Sequence, residues 1–189
     1  MQSGERMETK IVRSNRKTMS IEIKGNACII RAPFQVSDEQ IDAFVLKHRA
    51  WIEKHFAEAQ KRSAVAAETE KLSMDEIRAL ADRAVKVIPE RVRYYAPKVG
   101  VTYGRITIRN QHSRWGSCSS KGNLNFNCLL MLAPPEVLDS VVVHELCHRK
   151  EMNHSADFYA EVLKVFPDYR KWEKWLKEHG NELTAKMAP

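Results

Sequence analysis

The segment at residues 134–154, PPEVLDSVVVHELCHRKEMNH, limits the possible folds more than any other part of the chain. Two prolines followed by Glu136 suit the first turn of a helix, where a missing backbone N–H costs nothing. Val137, Leu138, Val141, Val142 and Val143 then make that helix apolar on more than one side, so it must be buried. On such a helix His144 and His148 lie four residues apart and share a face. Burying His, Glu and His together is costly unless something satisfies them. A metal ion does so directly: two imidazoles at this spacing reach one Zn²⁺, and Glu145, one position round, addresses a water that the metal activates. With 7 histidines in 189 residues, chance alone supplies only about 0.02 H-E-x-x-H matches per chain of this make-up.

A catalytic zinc site with one open position needs a third protein ligand. His154 is the first candidate, provided the chain turns after His148; Asn153 tolerates a left-handed turn, and Ser155 can cap a following helix. Glu151, Asp157 and Glu161 are the alternatives. The third histidine stands six residues after the second, as in H-E-x-x-H-x-x-G-x-x-H, but Glu151 occupies the glycine position. His48, His55, His112 and His179 are read as packing or solvated residues.

Ahead of this segment the chain divides in two. Ser20–Lys24 alternates, Gly25-Asn26 turns, and Ala27–Ile30 continues, giving a hairpin. Ser37-Asp38-Glu39-Gln40 is a capping box opening an amphipathic helix to about residue 62. SAVAAETEKL reads as a linker between an N-terminal unit, 1–65, and a second, 73–189. Ser73-Met74-Asp75-Glu76 opens another helix, expected to kink near Pro89 and end before Pro97. Tyr103–Asn110 and Leu124–Leu132 are expected strands, with Leu124–Leu130 the edge that would pair with an extended peptide. A last helical region from Ser155 to about Glu178 breaks near Pro167. Tyr169, Trp172 and Trp175 fall at helical spacing and read as core.

The net charge of +7 and pI near 9.3 favour acidic partners, nucleic acid among them, or simply a soluble surface. The N-terminal residues hold no apolar stretch of signal length, so a cytoplasmic protein with reduced cysteines is expected. None of Cys28, Cys118, Cys128 and Cys147 forms a C-x-x-C pair; Cys118 and Cys128 flank a turn and are placed to face each other across a hairpin.

Arg114-Trp115-Gly116-Ser117-Cys118-Ser119-Ser120-Lys121-Gly122-Asn123-Leu124-Asn125 resembles the R-W-G-S-C-S-x-x-G-x-[IL]-x signature of YgjP-type metal-dependent hydrolases, relatives of SprT-like and WLM zinc peptidases. Leu132-Ala133-Pro134, the H-E-L-C-H segment, Met152-Asn153-His154-Ser155, and the pieces at Arg13–Ile23 and Arg31–Pro33 are similar too. The resemblance implies a zincin-like α+β core, one Zn²⁺ held by His144, His148 and His154, and Glu145 as base in a peptidase. For some members a nucleoside triphosphate (UTP-like) pyrophosphatase activity is proposed instead, and a nucleic-acid-associated zinc module is the non-enzymatic alternative. Within the signature, Gly116 permits close backbone approach, Trp115 offers a packing surface, and Arg114 suits a carboxylate or phosphate. Asn153 and Tyr159 are candidates for supporting the ligands or the reacting oxygen.

Overall fold

The computed structural model describes residues 7–111 and 113–187; His112 and the first residues of the chain lie outside them. The chain forms two compact units, Met1–Glu68 and Thr69–Pro189. In the first, β1 (Glu8–Ser14), β2 (Ser20–Lys24) and β3 (Ala27–Pro33) form a sheet of order β1-β3-β2. The expected hairpin is β2–β3, antiparallel, turning at Gly25 with φ 56°. β1 runs parallel to β3 on its other side. Cys28, Ile30 and Ala32 alternate inward from β3 and pack with Ile41 and Ile52 from the helices α1 (Asp38–Lys47) and α2 (Arg49–Glu68).

The expected single helix is therefore two. It breaks at His48, whose Nδ1 lies 2.7 Å from the Phe44 carbonyl and whose backbone N–H bonds back to Phe44 and Val45. α2 also runs on to Glu68, so the first six residues of the expected linker are helical. Alanine-rich sequence favours helix even where little is buried.

The second unit is built on α3 (Met74–Val99). Its Ser73 capping box forms, and Gly100 ends it in the left-handed conformation. The helix holds Pro89 within it and, contrary to expectation, also continues through Pro97. Each proline deprives a carbonyl four residues earlier of its donor; for Pro89 that residue is Val85, 58% exposed, and for Pro97 the exposed Arg93. Water can serve there, and the buried face of Ala84, Ile88, Val92, Tyr95 and Ala96 keeps the helix continuous.

A second sheet, of order β4-β6-β5, joins β4 (Ile106–Arg109), β5 (Gly116–Cys118) and β6 (Leu124–Asn127). β6 is shorter than expected because Asn127 caps a 3₁₀ turn, Cys128–Leu132. It is also central, flanked by β4 in parallel and β5 antiparallel, so it cannot be the free edge expected of Leu124–Leu130. That edge is β5. Cys118 lies opposite Leu124, and Cys128 stands outside the ladder; the two do not face each other, and all four cysteines are free. α4 (Pro135–Cys147), α5 (Ala156–Val165) and α6 (Tyr169–Ala185) complete an α+β unit.

α4 is central, with Val137, Val142, Val143, Leu146 and Cys147 fully buried. Its rotation is fixed against α3 by a bidentate pair: Arg91 Nε and Nη2 each donate to Asp139 at 2.6 Å, and the Tyr95 hydroxyl donates to the same carboxylate at 3.0 Å. No helix among the described residues is long and apolar enough to cross a membrane.

Candidate metal centre and active site

His144 and His148 project from the end of α4, and the chain then turns to bring His154 beside them. His144 Nε2 lies 3.2 Å from His148 Nε2 and 3.1 Å from His154 Nε2. Three nitrogens at 2.0–2.1 Å from one tetrahedral ion stand about 3.3 Å apart, so the observed spacing fits a shared metal. The other ring nitrogens of His148 and His144 are engaged. His148 Nδ1–H donates to the Glu151 carbonyl at 3.0 Å, which leaves Nε2 a bare lone pair. His144 Nδ1 lies 2.8 Å from the Tyr169 hydroxyl. Lone pairs that converge without a proton between them are the donor set that a cation completes. Burial, reinforced by the neighbouring imidazoles, lowers the pKa of His144 to about 4. Burial also lowers that of His148, so both are neutral near pH 7, the form that ligates.

The turn that delivers His154 differs from the expected one. Asn153 is not left-handed, since among the described residues no residue other than glycine has a positive φ. Instead α4 tightens at its end: the N–H groups of Arg149, Lys150 and Glu151 bond to the carbonyls of Leu146 and Cys147. The Arg149 guanidinium pins this end to the carbonyls of Thr102 and Ser120, at 3.2 and 3.0 Å. Ser155 caps α5 as expected, accepting from Phe158 N–H at 3.2 Å. Phe158, fully buried, sets its ring against all three imidazoles, with centroids 4.6–5.0 Å away.

Of the alternative ligands, Glu161 is paired with Lys150, Asp157 is exposed, and Glu151 contributes its carbonyl. The group of three that gathers is His144, His148 and His154.

Glu145 is 5% exposed and lies against β5. A Cβ on Gly116 would come within 2.6 Å of Glu145 Oε1 and 2.7 Å of its Cγ, so glycine is needed for the carboxylate to rest on the strand. Burial pushes this carboxyl up to about 8, against the opposing pull of Arg114. Trp115 fills the space over Gly180 of α6, where an added Cβ would approach its ring to 3.1 Å. The loop carrying Arg114 is held by buried Asn127, whose Nδ2 donates to the carbonyls of Gln111 and Arg114, at 2.6 and 3.2 Å. A cavity of about 240 Å³ opens beside Glu145 and His144, with Arg114, Trp115 and Gly116 on one side and α6 on the other.

A family model for the YgjP-like metallopeptidase domain matches residues 17–81 and 63–179, most of the chain. The chain belongs to the YgjP-like family. Its members are metallopeptidases, so the protein is a hydrolase whose family acts on peptides or proteins, and its three-histidine group can hold the metal ion such an enzyme needs. Two solved structures are similar to part of this chain. They are the metallopeptidase zymogens of Pyrococcus abyssi abylysin, 21% identical, and Methanocaldococcus jannaschii jannalysin, 22% identical. Each covers 49% of this chain, which spans 94% and 96% of theirs, and each has a TM-score of 0.44. No curated protein matches the sequence.

The remaining predicted residues fall around this centre unequally. Asn153 is exposed in the turn. The Tyr159 ring lies 6.3 Å from His154, and the Arg170 guanidinium sits over it at 3.9 Å. Tyr169 is what helical spacing misses: it is buried like a core residue, yet its hydroxyl reaches His144. A tyrosine rather than a phenylalanine at a buried position is the one sequence signal for it. In the ligating tautomer His144 donates to that oxygen. Tyr169→Phe is expected to weaken zinc binding about tenfold or more while leaving the fold intact, measured by competition with a chromogenic chelator.

Proposed function

We propose that the protein is a zinc peptidase in which His144, His148 and His154 bind one Zn²⁺ and Glu145 is the general base. The observation that carries this reading is the convergence of three Nε2 atoms beside a buried carboxylate that rests on an edge strand. Bound zinc supplies Lewis-acid polarisation of a carbonyl and a water acidic enough to attack near neutral pH.

The chain's own residues do the rest. An extended peptide adds to β5 through main-chain hydrogen bonds. Because Gly116 touches Glu145, a peptide aligned on that strand brings its backbone next to the carboxylate. Glu145 is shielded from bulk water and lines the cavity beside His144; with the charge of a bound cation nearby to favour its ionised form, it can take a proton from the attacking water and return it to the leaving amine. Tyr169 and the Glu151 carbonyl hold the imidazoles of His144 and His148 in position.

Metal content per chain tests the site at its most exposed ligand. Wild-type protein is expected to retain one zinc after dialysis, and His154→Ala to lose it, with casein hydrolysis lost in parallel. Full zinc occupancy in His154→Ala would remove that residue from the ligand set. Nucleoside triphosphates serve as the contrasting substrate: pyrophosphate released by wild type but not by Glu145→Gln would transfer the chemistry from peptides to nucleotides.

A further inference from the structure

The cavity next to Glu145 and His144 has an apolar lining and one cation with no hydrogen-bonded partner among the described residues. Trp115, Val141 and Leu176 supply its apolar surface. Ser140 and Glu173, which also line it, are turned to partners of their own. The Ser140 hydroxyl donates to the Val137 carbonyl at 2.8 Å. The Glu173 carboxylate is held by Arg170 and Lys177, at 3.1 and 3.3 Å. Arg114 differs: among the described residues its guanidinium makes no hydrogen bond or close ion pair; it lines the cavity, is exposed, and acts on the Glu145 carboxyl only through its charge.

A guanidinium whose donors are not hydrogen-bonded, beside an apolar recess, suits a ligand that combines an apolar side chain with a nearby carboxylate, whose two oxygens match the guanidinium fork. It suits a polyphosphate poorly. Glu145 and Glu173 both line the recess, and Arg170 and Lys177 are already committed to Glu173. We propose that Arg114 and this recess select peptides with an apolar side chain next to the scissile bond and a carboxylate on the neighbouring residue. The proposal rests on the peptidase reading for its site, and it names the substrate class. The carboxylate can be a free C-terminus or an acidic side chain.

Calorimetric titration of the zinc-loaded wild-type and Arg114→Ala proteins tests this without requiring turnover. The probes are leucyl-alanine, leucyl-alanine amide, leucyl-aspartate amide and glycyl-alanine. Wild type is expected to bind leucyl-alanine about tenfold more tightly than its amide and about tenfold more tightly than glycyl-alanine. In Arg114→Ala the acid–amide difference disappears while the preference for leucine over glycine survives. Val141→Trp, which fills the recess, is expected to do the reverse. Leucyl-aspartate amide binding as well as leucyl-alanine assigns the preference to any carboxylate; binding no better than leucyl-alanine amide assigns it to the C-terminus. Equal affinity for acid and amide, persistence of the preference in Arg114→Ala, or no measurable binding of any probe overturns the proposal. An acid preference that depends on Arg114 in a protein that never cuts casein would leave the recess standing and count against the peptidase reading alone.

Discussion

Replacing Glu145 by glutamine is expected to abolish hydrolysis while leaving zinc binding in place. The amide keeps the shape of the side chain against Gly116 but cannot accept a proton, so kcat should fall by about 10²–10⁴. Zinc stoichiometry should stay at the wild-type value, because the three histidine Nε2 atoms are untouched. A metal-loaded Glu145→Gln protein with unchanged turnover would refute the role. The same substitution carries a second expectation, for metal-free protein. Burial holds the Glu145 carboxyl at about 8 in the folded state, above its ordinary value of 4.5. The folded state therefore binds the extra proton. This carboxyl costs no stability below about pH 4.5; the cost grows as pH rises and levels off above the folded value. Metal-free Glu145→Gln lacks that cost and should be the more stable protein at pH 8 by on the order of 3 kcal/mol. Urea denaturation of both proteins at pH 5 and pH 8 with a chelator present checks it: the gap should open with pH.

The second large effect is on stability and lies outside the reacting centre. Asp139→Ala should destabilise the protein by about 2–4 kcal/mol. Asp139 is 8% exposed and satisfies both Arg91 and Tyr95. Its loss leaves a guanidinium and a hydroxyl unpaired between α3 and α4. The Arg91 side chain is 35% exposed, so water recovers part of the cost, which keeps the figure below that of a sealed ion pair. Removing both partners, as in Arg91→Met with Asp139→Leu, should recover most of the stability, because no unpaired charge remains. Denaturation midpoints of the single and double variants measure this. Asp139 lies five residues before His144 on the same helix. If the clamp also sets the helix rotation, zinc affinity should fall in Asp139→Ala and return in the double variant.

Local patterns in the sequence were informative where the physics is local. Helical spacing pairs His144 with His148, and the capping boxes at Ser37 and Ser73 form as their residues imply. The same patterns misled where tertiary packing outweighed them. Pro97 sits inside the helix it was expected to end because one face of that helix is buried and the other can use water. The three-residue strand β5 is too short for alternation to reveal, yet it forms the free edge and carries Gly116 against Glu145. Leu124–Asn127 reads correctly as strand, but no pattern within one strand says how many neighbours it has.

By itself the sequence determined the buried helix, the two histidines on one face, the glutamate between them and a third histidine within reach. These follow from 3.6-residue periodicity, the cost of burying polar groups and the donor chemistry of imidazole. Only the tertiary structure brought His154, rather than a carboxylate, beside His144 and His148. It alone showed that Tyr169 supports His144 and that Arg114 faces an apolar recess with no hydrogen-bonded partner among the described residues. Those relations join residues from separate elements, and their distances depend on how helices and sheet pack, which no local spacing records.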